Sequence, residues 1–129
     1  MGRVRHYGWL ASPYSAKSRS YLRFKGIDFD EIAPSVLRLR LRIQPAVGRM
    51  IMPTVRLADG TWLQDSSCII DAFERSYPEP TITPPGPAQR LAASLLEVFG
   101  DEWLPLAALH YRWNIPENAD FATADFGRY

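Results

Sequence analysis

The sequence predicts an α/β fold, a βαβ-ββα domain followed by an incomplete all-α unit. Three observations carry that prediction. A short apolar run, Val4 to Leu10, passes directly into a helical pattern opened by Ser12-Pro13. Further on, Met52-Pro53 leads into an apolar run with an Asp59-Gly60 hairpin signal, and a helical pattern follows it. From Tyr77 to Pro87, five prolines and Gly86 then separate this region from one long apolar stripe at helical spacing.

Val4 to Leu10 is rich in aromatic and apolar residues and is followed by small ones, which suits a buried strand. Ser12 reads as an N-cap and Pro13 as the first helical residue, where its missing N–H costs nothing. The helix is expected to run to about Lys25 and stop at Gly26. Ile27 to Ile32 forms the second strand. Leu37, Leu39, Leu41 and Ile43 alternate with Arg38, Arg40 and Arg42, a period-two pattern that signals a strand. Leucine and arginine are nevertheless good helix formers, and Pro34-Ser35 opens a helix well, so residues 35–44 stay open between the two. The three arginines read as a solvated face or as an electropositive rim that attracts ligand carboxylates.

Pro45 to Met52 is expected to be a loop. Pro53 stands at the mouth of a strand, where it need not donate to the ladder. Thr54 to Leu57 and Thr61 to Gln64 make the hairpin, and Asp65 or Ser66 caps a helix with Ile69, Ile70 and Phe73 on its inner face. Tyr77-Pro78 ends that helix. The expected division is a domain over 1–80, a proline-rich linker over 81–87 and a helical unit over 88–129. In that unit Leu91, Leu95, Phe99, Trp103, Leu106 and His110 share one stripe, and Pro105 is expected to kink the helix without ending it. Asn114 to Tyr129 shows no clear period, so one long helix and a tail are expected.

Composition narrows the function classes. The 129 residues are 47% hydrophobic with a net charge of +1, which argues against a nucleic-acid partner recruited by bulk charge. Cys68 is the one cysteine, so an intrachain disulfide is impossible and a thiolate metal site is not expected. Cys68 itself reads as a small buried residue. No apolar stretch is long enough for a membrane span, and the expectation is a cytoplasmic protein without a membrane partner. Ser12-Pro13-Tyr14-Ser15 puts hydroxyls at a helix N-terminus, where unpaired N–H groups and the dipole favour an anion. Redox proteins with a CxxC there hold their own thiolate. With serine at both positions, a thiolate held there must belong to a ligand, and thiol-disulfide exchange is excluded.

This order of elements is the thioredoxin-like arrangement. The run Ser12 to Arg19, then Gln44-Pro45, Met52-Pro53-Thr54-Val55, Asp59-Gly60, Gln64 to Ile70 and Tyr77-Pro78 resembles the N-terminal domain of cytosolic glutathione transferases over roughly residues 3 to 80. The serine-type classes, zeta- or omega-like, are the nearest in kind, and the stretch from Pro87 to Trp113 resembles the first helix of that family's C-terminal domain. The resemblance implies that glutathione is a substrate and that no metal or prosthetic group is needed. It places Ser12 at the thiol, with Ser15 as a second candidate and a plain N-cap as the structural alternative. It places the Met52 backbone, before the family's cis Pro53, against the peptide of glutathione. Asp65 and Ser66 then face the γ-glutamyl ammonium and carboxylate, and Gln44 touches the tripeptide. Tyr14, His110 and Tyr111, with Trp113, fall where a small apolar electrophile binds; a core role is the alternative for the aromatics. Tyr7 is expected in the core or at an interface. The resemblance also implies a homodimer. The rival function is a non-catalytic binding or assembly module of the same family.

Overall fold

The computed structural model describes residues 3–127. The chain divides into two compact units, one ending at Pro80 and the other beginning at Thr81. Among the described residues, no helix is long and apolar enough to cross a membrane.

The first unit is built on a four-stranded sheet in the order β2-β1-β3-β4. β1 (Val4–Tyr7) runs parallel to β2 (Phe29–Ile32) and antiparallel to β3 (Thr54–Arg56), which pairs antiparallel with β4 (Trp62–Gln64). β1 ends three residues before the expected Leu10, which is exposed; Gly8 still donates its N–H to the Ile32 carbonyl at 3.1 Å. The parallel β1–β2 pair needs a crossover, and α1 (Pro13–Phe24) supplies it. Gly26, at φ +65°, turns the chain out of α1 into β2.

Two apolar clusters lie against the sheet. Tyr21 and Leu22 of α1 meet Val55 and the Ile69, Ile70 and Phe73 side chains of α4 (Ser66–Ser76). Tyr7, Leu39 and Ile43 form the second cluster, with Trp62 stacked on Tyr7 at 5.2 Å. Tyr7 is thus core, as expected.

Residues 36–47 settle the open segment as a continuous helical stretch. α2 (Val36–Arg38) is capped by Ser35, whose Oγ accepts the Arg38 N–H; a π-helical turn (Leu39–Ile43) and α3 (Gln44–Val47) follow. The leucine-arginine alternation misleads because only Leu39 and Ile43, four apart, turn inward, while Leu37 and Leu41 face solvent. The helix also takes the first residues of the expected 45–52 loop and ends at Gly48, at φ +78°. Pro45 is accommodated by the wide turn just before it. A proline inside a helix lacks the N–H and crowds the carbonyl four residues back, and a π-turn moves that carbonyl away.

The same device recurs in the second unit. α5 (Pro87–Val98) passes through a π-helical turn (Phe99–Trp103) into α6 (Leu104–Trp113), with Pro105 just beyond the turn. The helix therefore continues past Pro105, as its periodicity implied. The segment after Asn114 corrects the expected tail: Pro116–Phe126 is a further helix, α7, with Pro116 in its first turn and Glu117 at its positive end. Trp113 stacks on Phe126 at 6.0 Å, and Asn118 donates to the Tyr111 carbonyl at 2.9 Å. Cys68 is a second correction. It lies on the outer side of α4 and is exposed, because Ile69 and Ile70 take the inward positions.

At the end of the first unit, Lys25 acts as a clamp. Its fully buried side chain meets Glu74 Oε1 at 2.6 Å and donates to the carbonyls of Tyr77 and Pro80, each at 2.7 Å. Glu74 also accepts from the Tyr21 hydroxyl at 2.8 Å; burial first, and then this carboxylate, push that hydroxyl well above its usual range.

Candidate functional site at one end of the sheet

Strand register brings the candidate residues to one end of the sheet. Tyr7, Thr54 and Gln64 are consecutive partners across β1, β3 and β4. Beyond Tyr7 the chain leads to Ser12 and α1; Pro53 precedes Thr54; Asp65 follows Gln64 and opens α4. Ser12, Met52-Pro53 and Asp65-Ser66 therefore flank the same end of the sheet, although they lie far apart in sequence.

Ser12 is the N-cap of α1. Its Oγ accepts the Ser15 N–H at 3.2 Å and its carbonyl accepts the Ala16 N–H at 2.9 Å. The cap uses a lone pair, so the hydroxyl proton remains available to an anion outside the helix. No acidic side chain lies in the first turn to offset the helix dipole there. Ser12 and Tyr14 are both part-exposed.

Ser15 differs. It is fully buried and its Oγ has no hydrogen-bond partner among the described residues. It packs against Gly8. A Cβ at Gly8 would lie 2.7 Å from Ser15 Oγ and 2.8 Å from both Ser15 Cβ and His6 Cε1. All three are held in the interior, so Gly8→Ala should lower unfolding free energy by about 2 kcal/mol in urea denaturation.

Beneath α1 lies a polar cluster that sequence reading did not find. His6, fully buried on β1, meets Glu31 Oε1 through Nδ1 at 3.0 Å and Ser18 Oγ through Nε2 at 2.8 Å. Arg19 clamps Glu31 through Nε and Nη2, both at 2.9 Å, and Nη2 also reaches the Trp9 carbonyl. Desolvation raises the Glu31 pKa, but hydrogen bonds from His6 and Arg19, and then their charges, outweigh it and bring it from 4.5 to about 2. An ionised carboxylate only accepts, so Nδ1 of His6 carries a proton. The sequence signal was present in Arg19, a cation on the otherwise inward side of α1, and in Glu31, an acid within β2.

A carboxyl whose folded pKa lies below its unfolded value stabilises the fold above the unfolded pKa and loses that contribution as pH falls through the folded one. The Glu31 contribution is therefore present at neutral pH and fades between about pH 4.5 and pH 2. With the side chain 32% exposed, solvent screening reduces it to about 2 kcal/mol. Denaturation midpoints across that range should show a shallower acid slope for Glu31→Gln than for the wild type.

Met52-Pro53 is a cis peptide, and Met52 packs against the Tyr7 cluster. Asp65 is the N-cap of α4: its Oδ1 accepts from Ser67 N at 2.9 Å and Cys68 N at 3.2 Å. It holds φ +73°, a region side chains rarely occupy. Ser66 is only 3% exposed. Lys17 of α1 donates to Ser67 Oγ at 3.0 Å, tying the two helix starts together; it too went unnoticed in the sequence. Gln44 is exposed at the start of α3. His110 and Tyr111 are exposed in the second unit, where His110 Nδ1 lies 2.8 Å from Asn114 Nδ2. No group of three or more metal-ligating side chains occurs among the described residues.

Comparison with known proteins decides the family. The family model for the N-terminal domain of glutathione S-transferase matches residues 7–81. The chain belongs to the glutathione S-transferase family. No curated protein matches the sequence. Among solved structures, a glutathione S-transferase from Methylobacterium radiotolerans, in complex with glutathione sulfonate, is 29% identical with a TM-score of 0.68, over 75% of this chain and 46% of that one. A Tau class glutathione S-transferase from mango, Mangifera indica, is 20% identical over 98% of this chain and 58% of its own, with a TM-score of 0.73. A glutathione S-transferase from Rhodospirillum rubrum is 24% identical over 77% of this chain and 45% of its own, with a TM-score of 0.68. The chain thus spans about half the length of the transferases it matches. The α/β fold, a thioredoxin-like glutathione S-transferase N-terminal domain with a helical region after it, is the fold of this family.

Proposed function

We propose that this chain binds glutathione at the end of the sheet described above and that Ser12 holds its thiolate for attack on an apolar electrophile. The observation that carries the reading is the convergence of the Ser12 cap, the cis Met52-Pro53 peptide and the Asp65-Ser66 helix start at one end of the sheet. Binding of glutathione sulfonate by the Methylobacterium relative supports it. The Ser12 hydroxyl donates a hydrogen bond to the sulfur while keeping its proton, and the first turn of α1 stabilises the negative charge, so more of the thiol is ionised. The Met52 backbone pairs with the peptide of glutathione as an added strand does. Asp65 Oδ1 is committed to α4, which leaves Oδ2 for the γ-glutamyl ammonium, and the α4 N-terminus with Ser66 receives the carboxylate.

In the transfer step the thiolate electron pair forms a C–S bond to the electrophilic carbon, whose leaving group departs with its bonding pair; the thiol proton has already gone to solvent. Glutathione is consumed as a substrate, and no prosthetic group takes part. Tyr14, part-exposed on α1, is our candidate for contact with the electrophile. The reading includes a homodimer in the cytoplasm, a reducing compartment that suits the unpaired Cys68.

Calorimetric titration with glutathione, paired with a conjugation assay on a chloronitrobenzene, tests the proposal. Saturable binding with conjugation supports it. Absence of binding overturns the proposal, and a chain that neither binds nor conjugates yet forms a stable dimer favours the non-catalytic binding or assembly module.

A further inference from the structure

Between Glu31 and Asp59 lie twenty-seven residues with five arginines and no acidic residue. The whole chain has a net charge of only +1, so the rest of it is net negative and the positive charge is local. The helical stretch over 36–47 presents much of this charge outward. Arg38, Arg40 and Arg42 are exposed, and their guanidinium groups meet no carboxylate among the described residues.

Exposed apolar side chains stand between them. Val36 is 58%, Leu37 66% and Leu41 67% exposed. The second core cluster explains why they are not needed inside: Leu39 and Ile43 already fill the inward face of this helix. Leu37 and Leu41 sit four residues apart, and so do Arg38 and Arg42, so leucine and arginine rows run side by side along the outer surface. An interior or an aqueous surface would favour one kind of side chain. A surface that mixes leucine with unpaired arginine matches a medium with an anionic layer over an apolar one.

The geometry points to the outer face of residues 36–42 as a docking surface for an anionic lipid bilayer. The leucines enter the acyl boundary while the arginines reach phosphate and carboxylate headgroups, their stems lying along the apolar layer. The first unit then lies on a membrane without crossing it. The lack of an apolar span, from which no membrane partner was expected, bears on crossing alone. The proposal is independent of glutathione binding, since it uses neither Ser12 nor the Asp65-Ser66 helix start.

Flotation of the full chain with vesicles tests it. The protein should float with phosphatidylcholine vesicles that contain phosphatidylserine, far less with phosphatidylcholine alone, and less as salt is raised. Arg38→Gln with Arg42→Gln should lower the partition coefficient roughly 25-fold, at about fivefold per arginine. Leu37→Ser with Leu41→Ser should lower it by about tenfold or more with the salt dependence retained. All four side chains are exposed, so thermal melting should stay unchanged and report intact folding. Equal partition into both vesicle types overturns the proposal. So does serine replacement without effect while soluble polyglutamate displaces the vesicles, a result that assigns the face to an acidic protein.

Discussion

Ser12→Asp should leave the stability of the domain within a few tenths of a kcal/mol and still raise the pKa of bound glutathione by roughly one to two units. The two effects separate because Ser12 has two jobs. As the cap of α1, its oxygen accepts the Ser15 N–H, and an aspartate oxygen does that equally well. As the proposed thiol contact it supplies a proton, which a carboxylate lacks and replaces with a repelling charge. Ser12→Ala should lose both: about 1 kcal/mol of stability through the cap, and the hydrogen bond to sulfur. Ultraviolet thiolate absorbance across pH, with denaturation of each variant, measures the two quantities independently. A thiolate fraction that is the same in wild type, Ser12→Asp and Ser12→Ala means that Ser12 is a helix cap and nothing more.

Lys25→Met should lower unfolding free energy by about 3 kcal/mol, the largest stability loss expected of any single change considered. The methionine fills the same buried channel but leaves the Tyr77 and Pro80 carbonyls without their donor and Glu74 with only the Tyr21 hydroxyl from this cluster. Urea denaturation gives the size of the loss. Glutathione titration should be little changed, since the clamp lies at the C-terminal end of α1 and Ser12 at the other. A loss below about 1 kcal/mol would place Lys25 with ordinary surface ion pairs.

Much of the first unit was legible because its boundaries are chemical. Ser12-Pro13, Asp59-Gly60 and Asp65 each fix a turn or cap by local hydrogen bonding, and those elements fell where expected. Residues 35–44 were not legible, since period-two patterning tells how side chains alternate but not how many the core will accept. The core took Leu39 and Ile43 and left Leu37 and Leu41 outside. α7 was missed for a different reason. Its apolar residues are few, and only Pro116, Glu117 and Gly127 marked its ends. Cys68 illustrates the limit of residue-type averages: cysteine is usually buried, but here its neighbours Ile69 and Ile70 occupy the inward positions. The cluster of His6, Ser18, Arg19 and Glu31 depends on β1, α1 and β2 being brought together, a fact of packing that no local pattern contains.

Asp65 carries a consequence for how this family member can change. Its φ of +73° costs a non-glycine residue on the order of 1–3 kcal/mol, and the two N–H groups it caps help offset that cost. Glycine would relax the backbone and lose the cap; asparagine would keep the cap and lose the charge. No single substitution improves one property without touching another. Under selection or in engineering, the proposed ligand contact of Asp65 therefore cannot drift freely, because every trial is also a trial of whether α4 begins.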